Sequence, residues 1–344
     1  MLAAVTFPLI WVGGLVTTYD AGMSVPDWPG TYGYNLLLYP LETWIAGPWD
    51  LFIEHGHRLL GVLSGMLNIA LVVAVFRWDS RVWVRYFSLG ALAAVIVQGC
   101  LGGFRVLLDD RQLAMIHGCA GPGFLATCVA LCVVTSRTWK ESAGADELVR
   151  READVRGNGK AWHLASLPGL TVTGLTVTGL TVTTAAVAYL QLVIGALMRH
   201  IPVTASLNFF RWAVYSHLVV GGLVAVLALA VAWRVGRGPN RLAGLRKLAN
   251  TLVMLIICQF VLGCATWVVN YYWPGWVPDW AWTARYAVIE AKGWLQTMVV
   301  TAHQAMGSLI IAVSVWLMLC VHRRVHGASA LRTAEAALAG GTAA

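Results

Sequence analysis

Residues 51–76 read LFIEHGHRLLGVLSGMLNIALVVAVF, and their composition decides the class of the fold. From Leu59 to Phe76 no residue carries a charge. A helix needs ~20 apolar residues to cross the hydrocarbon core of a bilayer, and a single segment in lipid satisfies its own backbone only as a helix. The stretch opens on Glu54-His55-Gly56-His57-Arg58, so ionisable groups stand at the mouth of a membrane segment.

Working outward, further apolar runs lie near 2–18, 84–105, 112–136, 180–199, 212–234, 248–270 and 297–321. The chain of 344 residues is 58% hydrophobic and 12% charged, too few charges to solvate a water-soluble surface. The expectation is an all-α integral membrane protein of eight transmembrane helices, arranged as two four-helix bundles related by a pseudo-twofold axis. Residues 1–136 form the first half and 180–322 the second; 137–179 are a linker and low-complexity segment, and 323–344 a tail. The Gly-Leu-Thr-Val-Thr repeat from Gly169 through Thr183 reads as a low-complexity expansion, with an extension of the fifth helix or an irregular entry into the membrane as alternatives. The first run starts almost at Met1 without a charged flank or a small-residue cleavage site, so a first span is expected rather than a signal peptide.

The net charge of +8 does not point to nucleic acid, because the basic residues fall in short segments between apolar runs. Arg77, Arg81 and Arg85 lie between the second and third runs, and Arg234, Arg237, Arg241, Arg246 and Lys247 between the sixth and seventh. The segment after the first run carries Asp20, Asp27, Glu42 and Asp50 and no Lys or Arg. By the positive-inside rule this is a multi-pass protein with both termini cytoplasmic, or on the matrix side of an inner mitochondrial membrane. Trp44, Trp49, Trp273, Trp276, Trp83 and Trp233 fall at the expected interfaces. The seven cysteines all sit in apolar runs without a CxxC spacing, which excludes covalent c-type haem attachment, a zinc site and a disulfide scaffold.

Each even-numbered helix carries a histidine near its outer end: His57, His117, His217 and His303. Each is followed at i+4 by glycine, namely Gly61, Gly121, Gly221 and Gly307. Residues i and i+4 share a helix face, so glycine clears space beside an imidazole for a broad planar group, and two such helices can hold one haem between two histidines. Lone membrane histidines are often packing residues, but four at one depth in four equivalent helices argue for metal ligation. His55, His163, His200, His322 and His326 are not assigned to haem. The odd-numbered helices repeat Gln98-x-x-Leu101-Gly102, Gln191-x-x-Ile194-Gly195 and Gln259-x-x-Leu262-Gly263, which reads as helix packing. One feature breaks the repeat: Glu54, three residues before His57, has no counterpart in the other histidine helices. It is a candidate proton acceptor, with an i,i+4 ion pair to Arg58 as the structural alternative.

Glu54-x-x-His57-Arg58, the Ala21-Gly22-Met23-Ser24-Val25-Pro26-Asp27-Trp28-Pro29 loop, the other three histidines and the Gln-x-x-Leu-Gly repeats resemble the haem A synthase family. The resemblance covers nearly the whole chain outside the linker and tail. It implies that Glu54, His57 and His117 serve the substrate haem O and that His217 and His303 ligate a haem b cofactor. The implied reaction oxidises the C8 methyl of haem O to a formyl group, giving haem A for terminal oxidases, with electrons leaving to an unidentified acceptor. Haem O synthase and oxidase assembly factors are the implied partners, in addition to the lipid bilayer. Two departures stand out. Residues 18–50 lack the cysteine pair that many bacterial members carry there, and no arginine follows Gly13-Gly14, leaving Arg199 or Arg105 as candidates to contact a haem propionate. The competing readings are a di-haem cytochrome b passing electrons to or from quinone, and a haem transporter.

Overall fold

A computed structural model describes residues 1–141, 176–202, 204–238, 240–273 and 292–340. Its framework is eight helices: α1 (Leu2–Thr18), α2 (Trp49–Trp78), α3 (Val82–Leu107), α4 (Arg111–Thr135), α5 (Val177–Arg199), α6 (Leu207–Arg237), α7 (Arg246–Tyr271) and α8 (Trp294–Gly340). Seven of these, α2 to α8, are long and apolar enough to cross a membrane; α1 is apolar but shorter, at 17 residues.

Local chemistry sets several boundaries. Asp110 caps α4 by accepting from the N–H groups of Gln112 (2.6 Å) and Leu113 (3.0 Å), and Ser206 caps α6 by accepting from Phe209 N–H (3.2 Å). Thr176 accepts from Gly179 N–H at 3.1 Å, so α5 starts at Val177 and the end of the Gly-Leu-Thr-Val-Thr repeat is helical rather than part of a linker. The rest of that repeat, the linker over 142–175, His163 and Trp276 lie outside the described residues. Helix α8 continues through 323 to Gly340, so the expected tail starts as helix.

The helices close into two rings. Helix α1 packs on α2, α2 on α3, α3 on α4, and α4 back on α1; α5 packs on α6, α6 on α7, α7 on α8, and α8 back on α5. Between the rings, α8 lies against α1 and α4, and α4 against α5. Lipid tails give helices no hydrophobic reason to associate, so close contact relies on small side chains and interhelical hydrogen bonds. Ala126, Ala188, Ala228, Ala249, Ala305 and Ala312 are accordingly buried, and Tyr189 donates from α5 to the Cys119 carbonyl of α4 at 3.1 Å. A Cβ on Gly14 would stand 2.9 Å from Thr301 Cγ2, so α1 and α8 meet at this glycine.

Arg199 braces the same contact from α5. Its guanidinium donates to the Gly14 carbonyl (3.2 Å) and Thr18 Oγ1 on α1 and to Gln304 Oε1 on α8. At the opposite membrane face Asp79 closes the α2–α3 turn by accepting from Arg81 Nε (2.9 Å) and Nη2 (2.6 Å), with Lys140 at 3.2 Å. The Arg81 bonds hold the Asp79 carboxyl well below the usual range, although burial works against them.

Candidate functional site

The four histidines form two facing pairs. His57 of α2 and His117 of α4 have ring centroids 6.2 Å apart with planes at 79°; His217 of α6 and His303 of α8 stand 6.3 Å apart at 63°. A metal–imidazole bond is about 2 Å and a ring nitrogen lies roughly 1.1 Å from the ring centre, so two imidazoles on opposite sides of one ion place their centroids roughly 6.2 Å apart. Both pairs therefore fit a six-coordinate haem iron in spacing and in donor type.

Each imidazole lies against a glycine on the neighbouring odd-numbered helix. A Cβ built on Gly102, Gly195 or Gly263 would stand 3.2, 3.0 or 3.2 Å from Cε1 of His117, His217 or His303, and one on Gly13 would stand 2.9 Å from Nε2 of His57. The glycines four residues after the histidines have a different neighbour from the one their spacing suggests. The Gln98, Gln191 and Gln259 amide nitrogens approach Gly121, Gly221 and Gly307, at 3.5, 3.1 and 3.6 Å from a built Cβ. Gln98 Nε2 also donates to the His117 carbonyl (3.1 Å), and Gln191 Nε2 to that of His217 (2.9 Å). The packing is reciprocal: each histidine fills the space over the glutamine helix's glycine, and each glutamine fills the space over the histidine helix's glycine. His117 Nδ1 also lies 3.1 Å from the Gln98 carbonyl, which favours the tautomer that frees Nε2.

The motif around Glu54 builds a roof over the first pair. Glu54 is 2% exposed, and both its oxygens are engaged: Oε1 accepts from Arg58 Nη2 at 2.8 Å and Oε2 from Val25 N–H at 2.9 Å. The ion pair weighed as the structural alternative is thus present, and Glu54 is not a free base. Arg58 donates further to the carbonyls of Val25 (2.7 Å), Asp27 (2.6 Å) and Gly30 (2.6 Å). His55, 2% exposed, faces away from His57 and meets Thr31 Oγ1 at 2.9 Å, between the rings of Tyr39 and Trp44. Asp27 accepts from the N–H groups of Tyr32 (2.7 Å) and Gly33 (2.9 Å). Burial raises its carboxyl, but those bonds and the Arg58 charge bring the net value below the ordinary one.

The loop reaches α3 as well. Trp28 packs its indole on Gly103, next to the glycine beneath His117, and Arg105 Nη2 donates to the Gly22 carbonyl at 3.2 Å. At the C-terminal end of α5, burial together with Arg199, Arg105 and Arg111 brings His200 down to about 4. Arg105 and Arg199, the candidates for a propionate contact, thus lie on different elements and bond to protein carbonyls and amides. The roles of His55, Arg58 and Thr31 as loop anchors went unread in the sequence. The cue available was the adjacency of two histidines on opposite faces of one helix, flanked by a buried-type ion pair.

A multi-pass helical membrane protein with two facing histidine pairs near one end of its helices is the class that fold and site define. The chain belongs to the COX15-CtaA family of cytochrome oxidase assembly proteins, whose family model matches residues 1–277. His303 lies beyond the matched residues. Among curated proteins it is similar to "Heme A synthase" of Symbiobacterium thermophilum, 27% identical over 282 residues (76% of this chain and 81% of that protein). It is also similar to "Heme A synthase" of an Exiguobacterium species, 25% identical over 274 residues (75% of this chain and 77% of that protein).

Proposed function

We propose that this protein is a haem A synthase, oxidising the C8 methyl of haem O to a formyl group. The observation that carries the reading is the pairing of four histidines into two sites that are alike in spacing and unlike in surroundings. Among the described residues, only the His57–His117 pair lies beneath a loop pinned by hydrogen bonds, from Glu54, His55 and Arg58. A protein that merely relayed electrons would have no use for a carboxylate fixed beside one histidine pair. His57 and His117 hold the substrate haem O; His217 and His303 hold haem b, which when bound supplies an electron-accepting centre. With both oxygens fixed, Glu54 serves as a preorganised negative charge beside developing positive character, not as a mobile base.

The helix neighbours support the pseudo-twofold arrangement, because exchanging α1–α4 with α5–α8 leaves the set of contacting pairs unchanged. Helix α1 is counted as an eighth span: at 17 residues it sits at the lower limit of the ~17–25 that suffice, and it packs on α2, α4 and α8. By the positive-inside rule, the arginines between α2 and α3 and between α6 and α7 support a cytoplasmic position for both termini.

The deciding experiment is to purify the protein from cells that make haem O and identify its extracted haems by mass. Haem O, haem A or a hydroxylated intermediate is expected. Haem b alone, without conversion of added haem O, would sink the proposal in favour of an electron-transfer cytochrome.

A further inference from the structure

Four hairpins carry a histidine, but only three carry the glutamine lock. One turn before Gly13, α1 has Leu9, where α3, α5 and α7 have Gln98, Gln191 and Gln259 one turn before their glycines. Gly61, the counterpart of Gly121, Gly221 and Gly307, has nothing within 4 Å of a built Cβ. The His57 ring is also turned differently. It sets Nε2 (2.9 Å) and Cδ2 (3.3 Å) against Gly13, whereas the other three rings set Cε1 closest to their glycines. Among the described residues, no side-chain amide donates to the His57 backbone carbonyl, as Gln98 and Gln191 do to those of His117 and His217. Its imidazole makes no hydrogen bond, and of the other three rings only that of His117 makes one.

From this broken repeat we infer that His57 is the exchangeable ligand of the set: a glutamine packs against the helix of each of the other three histidines, and His57, without one, is free to leave and regain the iron on the substrate side. The inference rests on the proposed function, which places haem between His57 and His117. It has a chemical logic. A cofactor haem is retained through every turnover, so both its ligands profit from being held. A haem that is substrate must be admitted and its product released, so one ligand must let go, and an imidazole whose helix keeps open space one turn deeper, at Gly61, does so with little rearrangement. A purely structural reading, in which Leu9 only fills lipid-facing space, predicts no difference between the two pairs in ligand release.

The test uses the full chain carrying both haems, chemically reduced and mixed with carbon monoxide, which can take an iron position only after an imidazole leaves. One of the two haems should take up carbon monoxide in the unmodified protein. Leu9→Gln, which supplies the missing amide opposite Gly61, should slow that uptake at least tenfold with haem content unchanged. Leu9→Met, of similar bulk and without an amide, should leave it within twofold. Gly61→Val fills the open space from α2 itself and should also slow uptake, so a misfolded Leu9→Gln protein would not end the test. Gln98→Leu, which loosens His117, should leave the rate within twofold. A large acceleration there would place the release at His117 and overturn the inference, as would unchanged uptake in both Leu9→Gln and Gly61→Val. If His57→Ala and His117→Ala both left haem content untouched, the proposed function's assignment would fall first, and the inference with it.

Discussion

Arg58 Nη2 stands 2.8 Å from Glu54 Oε1 one turn away on the same helix, and the two side chains are only 9% and 3% exposed. Their remaining hydrogen-bonding capacity goes to one short stretch of loop, since Arg58 reaches the carbonyls of Val25, Asp27 and Gly30 while Glu54 takes the Val25 N–H. A buried pair of this kind contributes little net stability over an apolar substitute, but its half-removal strands a charge. It specifies where the loop sits.

Arg58→Ala is therefore expected to destabilise the protein by about 3–5 kcal/mol, the usual cost of breaking a buried pair on one side. Arg58→Lys keeps the charge but cannot satisfy four acceptors from one planar fork, so it should recover only part of that loss. Thermal unfolding in detergent and protease sensitivity of residues 21–34 provide the readouts. An Arg58→Ala protein with an unaltered unfolding midpoint would show that the loop is anchored elsewhere.

Glu54→Ala is expected to retain haem and lose product. Glu54→Gln preserves an acceptor for Val25 N–H while removing the charge, and its product yield separates placement from electrostatics. Recovery close to the parent protein in Glu54→Gln would make Glu54 a positioning residue for the loop; normal product from both variants would remove it from the reaction.

Haem content should divide the histidines by half. His217→Ala and His303→Ala are expected to lose the haem b that copurifies, whereas His57→Ala and His117→Ala should keep it and fail to retain haem O. Haem extraction followed by chromatography measures both. Loss of haem b in the His57→Ala protein would contradict the division.

The glycines make a separable prediction. Gly195→Ala brings a Cβ to 3.0 Å from His217 Cε1, tight enough that the imidazole must move. Overpacking of this sort costs about 1–3 kcal/mol, and here it should appear as a shifted low-spin haem spectrum as well as lower stability. Gly103→Ala instead pushes on the Trp28 indole, so it should loosen the loop between α1 and α2 and leave the haem b spectrum alone. Identical effects of the two substitutions would argue against distinct roles.

His200 supplies a pH dependence. Its folded-state value, about 4 against an ordinary 6.5, means the unfolded chain binds a proton there that the native protein refuses. Stability should therefore be full above about 6.5 and fall as the pH drops towards 4, where the native imidazole finally protonates. His200→Gln should flatten the unfolding midpoint across that window. An unchanged slope would assign the acid sensitivity to other groups.

The sequence made the helices legible because lipid demands long uncharged runs, and the observed helices begin and end within a few residues of most of those runs. It made the histidine pairs legible through their shared depth in alternate helices. What it concealed was who faces whom. The i+4 glycines suggested room for a ligand, yet Gly121, Gly221 and Gly307 meet glutamines, a relation between helices that no spacing within one helix records. Glu54 illustrates the same difficulty: its offset from His57 marked it as unusual, but only the folded loop reveals that Val25 and Arg58 already occupy both oxygens. The apolar run at 180–199 already took in the end of the Gly-Leu-Thr-Val-Thr repeat, and α5 starts only three residues earlier, at Val177; β-branched threonine and valine have weak helix propensity in water, which membrane surroundings override.

The bonds from Arg199 to Gly14, Thr18 and Gln304 bear on more than how the two rings of helices meet. Electron tunnelling falls steeply with distance, so two redox centres exchange electrons at a steady rate only when the gap between them does not breathe. One guanidinium joining α5 to α1 and α8 resists the sliding that would widen this gap, and it resists equally the rocking that an alternating-access transporter requires. On the proposed assignment, the joint keeps the wire between substrate and cofactor at a fixed length.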